Sequence, residues 1–258
     1  MRLMKRILSA AAVLALSASL LVGCSSGTAS SVPVSASSAA ESTVSSVEET
    51  ASSAVDENEA AAAQLLNDLT GSYQELWPVI LADEYKQTWL DVCTALVGED
   101  NAEAAFEKLS SMVTGDVYGE DAVKAYANGG GAYFCGFTNS LAILTFDGET
   151  STISGTDKDG NVLFSHTYHY IGMEPVRGLY EFQSDDADSG EFTYFFLAPD
   201  ISAETYHIEF RYGSDAEALS QYDAGEYAYW VASGISTDCD QTMIDNCIEL
   251  FCTENLAG

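Results

Sequence analysis

Three histidines are the residues of this chain with the most obvious chemistry: His166, His169 and His207. His207 stands in Asp200–Gly213, which follows Glu191–Pro199; the two stretches read as β-strands joined by a short polar loop. Period-2 alternation puts Thr205, His207 and Glu209 on one strand face and Tyr206, Ile208 and Phe210 on the other. An imidazole two residues from a carboxylate on one face is half of a divalent-metal site. The alternative is a partly buried histidine bonded to a neighbouring carboxylate. His169 falls on another strand beside Thr167, and His166 lies on the opposite face of that strand with Tyr168 and Tyr170. The candidate metal set is therefore His207 and Glu209, completed by His169 or by a loop carboxylate such as Glu204 or Asp200.

The elements that must position these residues change character half-way along the chain. Residues 57–63 begin a short helix ending near Gly71. Tyr73, Trp77 and Ile80 or Leu81 then share a helical stripe broken by Pro78. Tyr85, Trp89, Val92 and Leu96 repeat at helical spacing. Asp100 with Glu103 resembles a capping box opening a helix that carries Phe106, Leu109 and Val113. A last short helix over 120–127 stops at the glycines 129–131. Beyond them the period becomes two: strands are expected over 132–137, 141–146, 151–155, 162–171, 179–183, 192–198 and 205–212. Asp147-Gly148 and Lys158-Asp-Gly160 serve as hairpin turns. A meander of this length gains by closing into a barrel, which removes both exposed edges. Helices are expected again over 214–222 and 237–254, the latter opened by Thr237. The fold class is α+β: N-terminal helices packed on an antiparallel barrel, with a C-terminal helix.

The start of the chain carries an address. Arg2, Lys5 and Arg6 precede an apolar run, and Leu21-Val-Gly-Cys24 matches a bacterial lipobox. Residues 1–23 read as a lipoprotein signal peptide, and Cys24 as the lipidated N-terminus of the mature protein; two acyl chains anchor where one would not. Residues 24–56, rich in Ser and Ala and free of aromatics, read as a disordered tether. The remaining 57–258 suit one domain, held by lipid on the extracytoplasmic face of the cell membrane. Removing the three leader cations leaves 6 basic against 40 acidic residues, a net charge of −34. So strong an acidic excess excludes nucleic acid as a partner and concentrates cations. Five further cysteines, Cys93, Cys135, Cys239, Cys247 and Cys252, show no Cys-x-x-Cys spacing. They read as small buried hydrophobes with room for one disulfide, rather than as a thiolate metal cluster.

Several segments together resemble a known family. Asp68-x-x-Gly71-x-Tyr73-x-x-x-Trp77-Pro78-x-x-Leu81 resembles the entry motif of the ZinT (YodA) domain, which also forms the C-terminal domain of AdcA-type zinc-binding lipoproteins. Tyr168-His-Tyr-Ile-Gly172 and Val176-Arg-Gly-Leu-Tyr-Glu-Phe182 are similar to its hairpin and following strand. Leu197-Ala-Pro199 with Tyr206-His207-Ile208 is similar to its metal-bearing strand pair. The resemblance spans about residues 65–255 in order. It implies a calycin-like (lipocalin-like) barrel, zinc as cofactor, and support of a zinc ABC importer. The family's three zinc histidines fall here on Phe195, Thr205 and His207, so only one survives, and a zinc site needs three or four protein ligands.

Two functions follow. The first is a surface-anchored lipoprotein that binds divalent metal, zinc foremost, through a rebuilt and weaker site. The second is a calycin-like barrel that has lost metal binding and takes a small ligand or a protein partner. Their discriminating feature is the 205–209 strand face, liganding in one and an apolar lining in the other. Enzymatic chemistry is not expected: Gly-x-Ser-x-Gly, His-Glu-x-x-His and a phosphate-cradling glycine loop are all absent from the sequence.

Overall fold

The computed structural model describes residues 57–126, 132–198 and 207–256. The leader, Cys24 and the tether lie outside the described residues, as do Asp200, Glu204 and Thr205. Eight antiparallel strands close into a barrel in sequence order. They are β1 (Gly71–Glu75), β2 (Ile143–Asp147), β3 (Thr152–Thr156), β4 (Val162–Met173), β5 (Tyr180–Ser184), β6 (Tyr194–Leu197), β7 (His207–Gly213) and β8 (Ala232–Ser236). The helices are α1 (57–68), α2 (Leu76–Ile80), α3 (Lys86–Val97), α4 (Glu99–Val113), α5 (Gly119–Tyr126), α6 (Ala216–Leu219) and α7 (Gln241–Leu256). The expected α+β architecture is thus the one found, with α1 before the first strand, α2–α5 between β1 and β2, and α7 after the last strand. Among the described residues no helix is long and apolar enough to cross a membrane.

The strands expected at the two ends of the barrel needed correction. Residues 71–75 form β1 rather than the start of a helical stripe. Its register, Gly71 opposite Phe146 on one side and Tyr73 opposite Ser236 on the other, is what closes the barrel. Tyr73 turns inward and meets Phe146 edge-on, ring centroids 5.7 Å apart. Pro78 then sits in the first turn of α2, where an amide N–H has no intrahelical partner to lose. The stretch 132–137 makes only single bridges, Phe134 to Thr114 and to Trp230. The eighth strand is instead β8, whose Ala-Ser-Gly-Ile-Ser sequence carries a single large apolar residue and so no readable alternation.

Two apolar layers result. Inside the barrel, Phe146, Ile153, Phe182, Phe195 and Phe210 form one core, and Leu65 and Leu66 of α1 and Leu69 just after it join it. The β2–β3 turn lies so close to α1 that a Cβ on Gly148 would stand 2.4 Å from the Asn67 Cα. Outside, α2, α3, α4 and α7 build a second core around Trp77, Trp89, Leu109 and Ile248, with Ile235 of β8 reaching into it.

Helix starts differ from expectation by one cap each. α4 begins after Gly98, whose φ of 86° favours glycine, and not at Asp100. α7 begins after Asp240, whose Oδ1 accepts the Met243 N–H at 2.9 Å, so Thr237 is not the cap. Asp240→Ala is expected to cost about 1 kcal/mol of stability, read as a lower denaturant midpoint at unchanged slope.

Candidate functional site

The inward faces of β6 and β7 decide what the barrel can hold. Phe195, Phe210 and Tyr212 point to the interior because alternation on a closed sheet leaves them no other place. Phe195 has no solvent exposure, and its ring lies 5.3 Å from Tyr212, 6.4 Å from Phe210 and 5.9 Å from Phe164. Phe192 continues the stack, 4.0 Å from Phe164 and 5.6 Å from Tyr212. The two phenols inside are bonded to backbone: Tyr168 donates to the Phe192 carbonyl, and Tyr212 donates to the Thr138 carbonyl at 3.0 Å. Burial pushes both phenols well above the usual tyrosine range, so neither offers an anionic oxygen to a cation.

The candidate ligands face the other way. His207 is half-buried and Glu209 exposed, both on the outer face of β7, opposite Ile235 and Ser233 of β8. They are two residues apart on one face, as the alternation required. His169 also faces outward, but on β4, and β5 and β6 lie between that strand and β7. Its Nδ1 stands 2.6 Å from Asp185 Oδ1. His166 occupies the opposite face of β4, its Nδ1 2.7 Å from Asp186 Oδ2 and its ring stacked 5.9 Å from Phe164. Both are histidine–aspartate couples at the β5 end of the barrel, on opposite faces of one strand. The structure brings His207 and Glu209 together and sets His169 apart from them. Among the described residues no group of three or more His, Cys, Asp or Glu is placed to hold a metal ion.

An open concavity of about 690 Å³ lies outside the barrel, between α5 and the Glu226 segment. Tyr118 and Phe134, stacked with centroids 5.6 Å apart, supply its apolar wall, and Asp116, Glu120, Asp121 and Glu226 its charge. Burial raises the Tyr118 phenol, helped by the charges of Glu191 and Glu226. The concavity keeps its shape through Gly119, whose N–H donates to the Ala228 carbonyl at 2.7 Å.

A third cluster was not anticipated. Arg177 and Arg211, the only arginines beyond the leader, both stack on Tyr222, at 4.0 and 4.3 Å. Arg211 is fully buried and donates to the carbonyls of Leu219, Gln221 and Tyr227. Arg177 donates to the Tyr133 hydroxyl at 3.1 Å, and Glu174 accepts the Val176 and Arg177 N–H groups. Alternation sets Arg211 on the polar face of β7 with His207 and Glu209, so the sequence carried no signal for its burial.

No family model matches the chain, and no curated protein matches it. Among solved structures it is similar to the Zn(II)-bound ZinT-like domain of Streptococcus pneumoniae AdcA. That match has 16% identity and a TM-score of 0.45, over 71% of this chain and 89% of that one. It is also similar to Zn(II)-bound AdcA from the same organism, with 15% identity and a TM-score of 0.42, over 72% of this chain and 35% of that one. The closed barrel, entered through the Gly71–Pro78 segment and followed by α7, carries the motifs in the expected order. The fold is a closed eight-stranded antiparallel barrel of the α+β class.

Within this barrel the residues described do not fit zinc. The resemblance asks for a histidine where Phe195 is packed on four sides by aromatic rings. A second imidazole is asked for at Thr205, outside the described residues. His207 faces away from the barrel interior. Phe195 and the rings packed on it supply no nitrogen, carboxylate or thiolate, zinc takes such donors, and among the described residues His166 beside them is coupled to Asp186 alone.

Proposed function

We propose that this chain is a lipid-anchored protein of the extracytoplasmic membrane face whose ZinT-like barrel has lost interior metal binding and serves as a ligand- or partner-binding module, without catalytic chemistry. The observation that carries this reading is Phe195: it has no exposure and sits among Phe164, Tyr168, Phe210 and Tyr212, at the position that should bear the first zinc ligand. With its interior filled, the domain keeps concave surface on the outside, and the Tyr118–Phe134 concavity is an aromatic wall with a carboxylate rim. Aromatic faces and carboxylates together suit a cationic group.

A second reading rests on one observation of its own: His207 and Glu209 share the outer face of β7 two residues apart. Completed by a carboxylate of the β6–β7 connection, they would form a weaker divalent site supporting zinc delivery to an importer. Calorimetric titration of Zn²⁺ into the mature chain, with its thiols alkylated, separates the two. The expected result is weak, salt-sensitive uptake that is the same in His207→Ala and Glu209→Gln. Stoichiometric sub-micromolar binding that disappears in both variants would sink the first reading and establish the second.

A further inference from the structure

Cys93 of α3 and Cys252 of α7 are both fully buried in the outer core, and their sulfurs are 4.0 Å apart. No chemistry discussed so far uses them. A disulfide needs sulfurs at about 2.05 Å, so the two must approach by about 2 Å. The helices that carry them pack through the same layer: Phe251, next to Cys252, meets Trp89 at 6.1 Å and Trp77 at 4.7 Å. Among the described residues the structure records no other pair of cysteine sulfurs in contact. Cys135 Sγ donates to the Tyr133 carbonyl at 3.8 Å, Cys239 lies ahead of α7, and Cys247 sits five residues from Cys252 on α7, off its stripe.

We infer that Cys93 and Cys252 close into a disulfide when the chain folds in an oxidising compartment, covalently joining α3, in the connection between β1 and β2, to α7 after the last strand, while Cys135, Cys239 and Cys247 stay thiols. The timing in the cell rests on the extracytoplasmic reading above; the choice of pair rests on the geometry alone. Each thiol loses its hydrogen, one S–S bond forms, and two protons and two electrons pass to an oxidant of the disulfide class, whose own S–S bond is reduced to two thiols. Burial raises both thiols above their ordinary range. Thiolate is therefore scarce in the folded protein, which places the exchange during folding and shields the product from reductants afterwards. The two positions are 159 residues apart in sequence, so the bond closes a long loop and restricts the unfolded chain strongly.

The test maps each cysteine separately. Full-length chain is taken from membranes in detergent with an alkylating quench, and a second sample is reduced, unfolded and refolded with glutathione disulfide. Peptide mass mapping then reads which cysteines are alkylated. The expected product in both samples is one linked peptide pair containing Cys93 and Cys252, two hydrogens lighter than the reduced pair, with Cys135, Cys239 and Cys247 alkylated. A linked pair on refolding but free thiols in the cell keeps the geometric assignment and overturns the extracytoplasmic reading. Five alkylated cysteines after refolding, or a Cys239–Cys247 link, overturns the inference. Reduction should lower Tm by about 10 °C. That difference should vanish in Cys93→Ala and persist in Cys135→Ala; its persistence in Cys93→Ala would equally overturn the assignment.

Discussion

Arg211→Met is expected to lower the stability of the domain by about 3–5 kcal/mol. The guanidinium is fully buried and gives its hydrogens to the carbonyls of Leu219, Gln221 and Tyr227, which close the β7–β8 connection over the outer face of the barrel. Methionine has similar bulk and no donor. The two buried acceptors, on Leu219 and Tyr227, would be left without partners at about 1–3 kcal/mol each and the part-buried Gln221 carbonyl at less, partly offset because Arg211 Nε already has no partner among the described residues. Burial lowers the Arg211 pKa and the Tyr222 ring, 4.3 Å away, opposes that shift, so the charge is held by dipoles and a π face. Arg211→Lys keeps one positive head but reaches the three carbonyls poorly, and should recover less than half of the loss. For a domain of this size the Met variant should melt about 6–20 °C lower by calorimetry. The same connection supplies the Ala228 carbonyl that holds Gly119, so the concavity beside Tyr118 should loosen along with it. A Met variant melting within about 2 °C of the native protein would show that the cluster is not structural.

How much of the barrel was legible follows from how local each signal is. β4 and β7 alternate over long runs, and the turns at Asp147-Gly148 and Lys158-Asp-Gly160 mark themselves by residue type. β1 and β8 have five residues each and find their partners at opposite ends of the chain. Their pairing is a closure contact, invisible to any window of neighbouring residues. Tyr73 and Trp77 are spaced as on a helix, yet they fall in two elements and serve two different cores. Caps moved for a similar reason: where each helix enters the outer layer selects Gly98 over Asp100 and, of two candidates, Asp240 over Thr237.

The candidate site was legible in its faces but not in its assembly. Alternation placed His207 with Glu209 and His166 opposite His169 without needing the fold. Whether a strand face points into or out of a barrel depends on which face the rest of the chain covers. Here Ile208, Phe210 and Tyr212 take the interior, which turns His207 outward. The face of β7 toward the core is apolar, and it arises from the same residues whose strand propensity made β7 easy to find. Arg211 was hidden by the opposite effect: it lies on the outer face, and only the 219–227 segment folding back makes that position buried.

Alkali should unfold this protein cooperatively by about pH 11, before its buried phenols Tyr73, Tyr168, Tyr212 and Tyr222 would titrate in place. Burial pushes the Cys135 and Cys247 thiols from 9.0 to about 12, with the charge of Glu209 adding to both. A thiol whose folded pKa is raised contributes stability that is fully present below pH 9. That contribution is lost progressively above it, because the unfolded chain releases its proton first. The loss is about 1.4 kcal/mol per pH unit for each thiol, so the pair removes about 5 kcal/mol by pH 11. Tyr73 and Tyr222, also raised to about 12 by burial, act in the same sense above pH 10. Tyr168 and Tyr212 follow them, since ionising either phenol breaks its bond to a backbone carbonyl inside the barrel. Against a total stability of about 5–15 kcal/mol these terms suffice to invert the balance. Tyrosinate absorbance and loss of the circular-dichroism signal should therefore rise together, in one transition. Cys247→Ala leaves one fewer raised thiol, and should move that transition to higher pH relative to its own neutral stability. Smooth tyrosine titration near pH 10 with the dichroism intact would mean that water reaches the interior phenols. The packed aromatic barrel, on which the assignment of a non-metal function rests, would then be wrong.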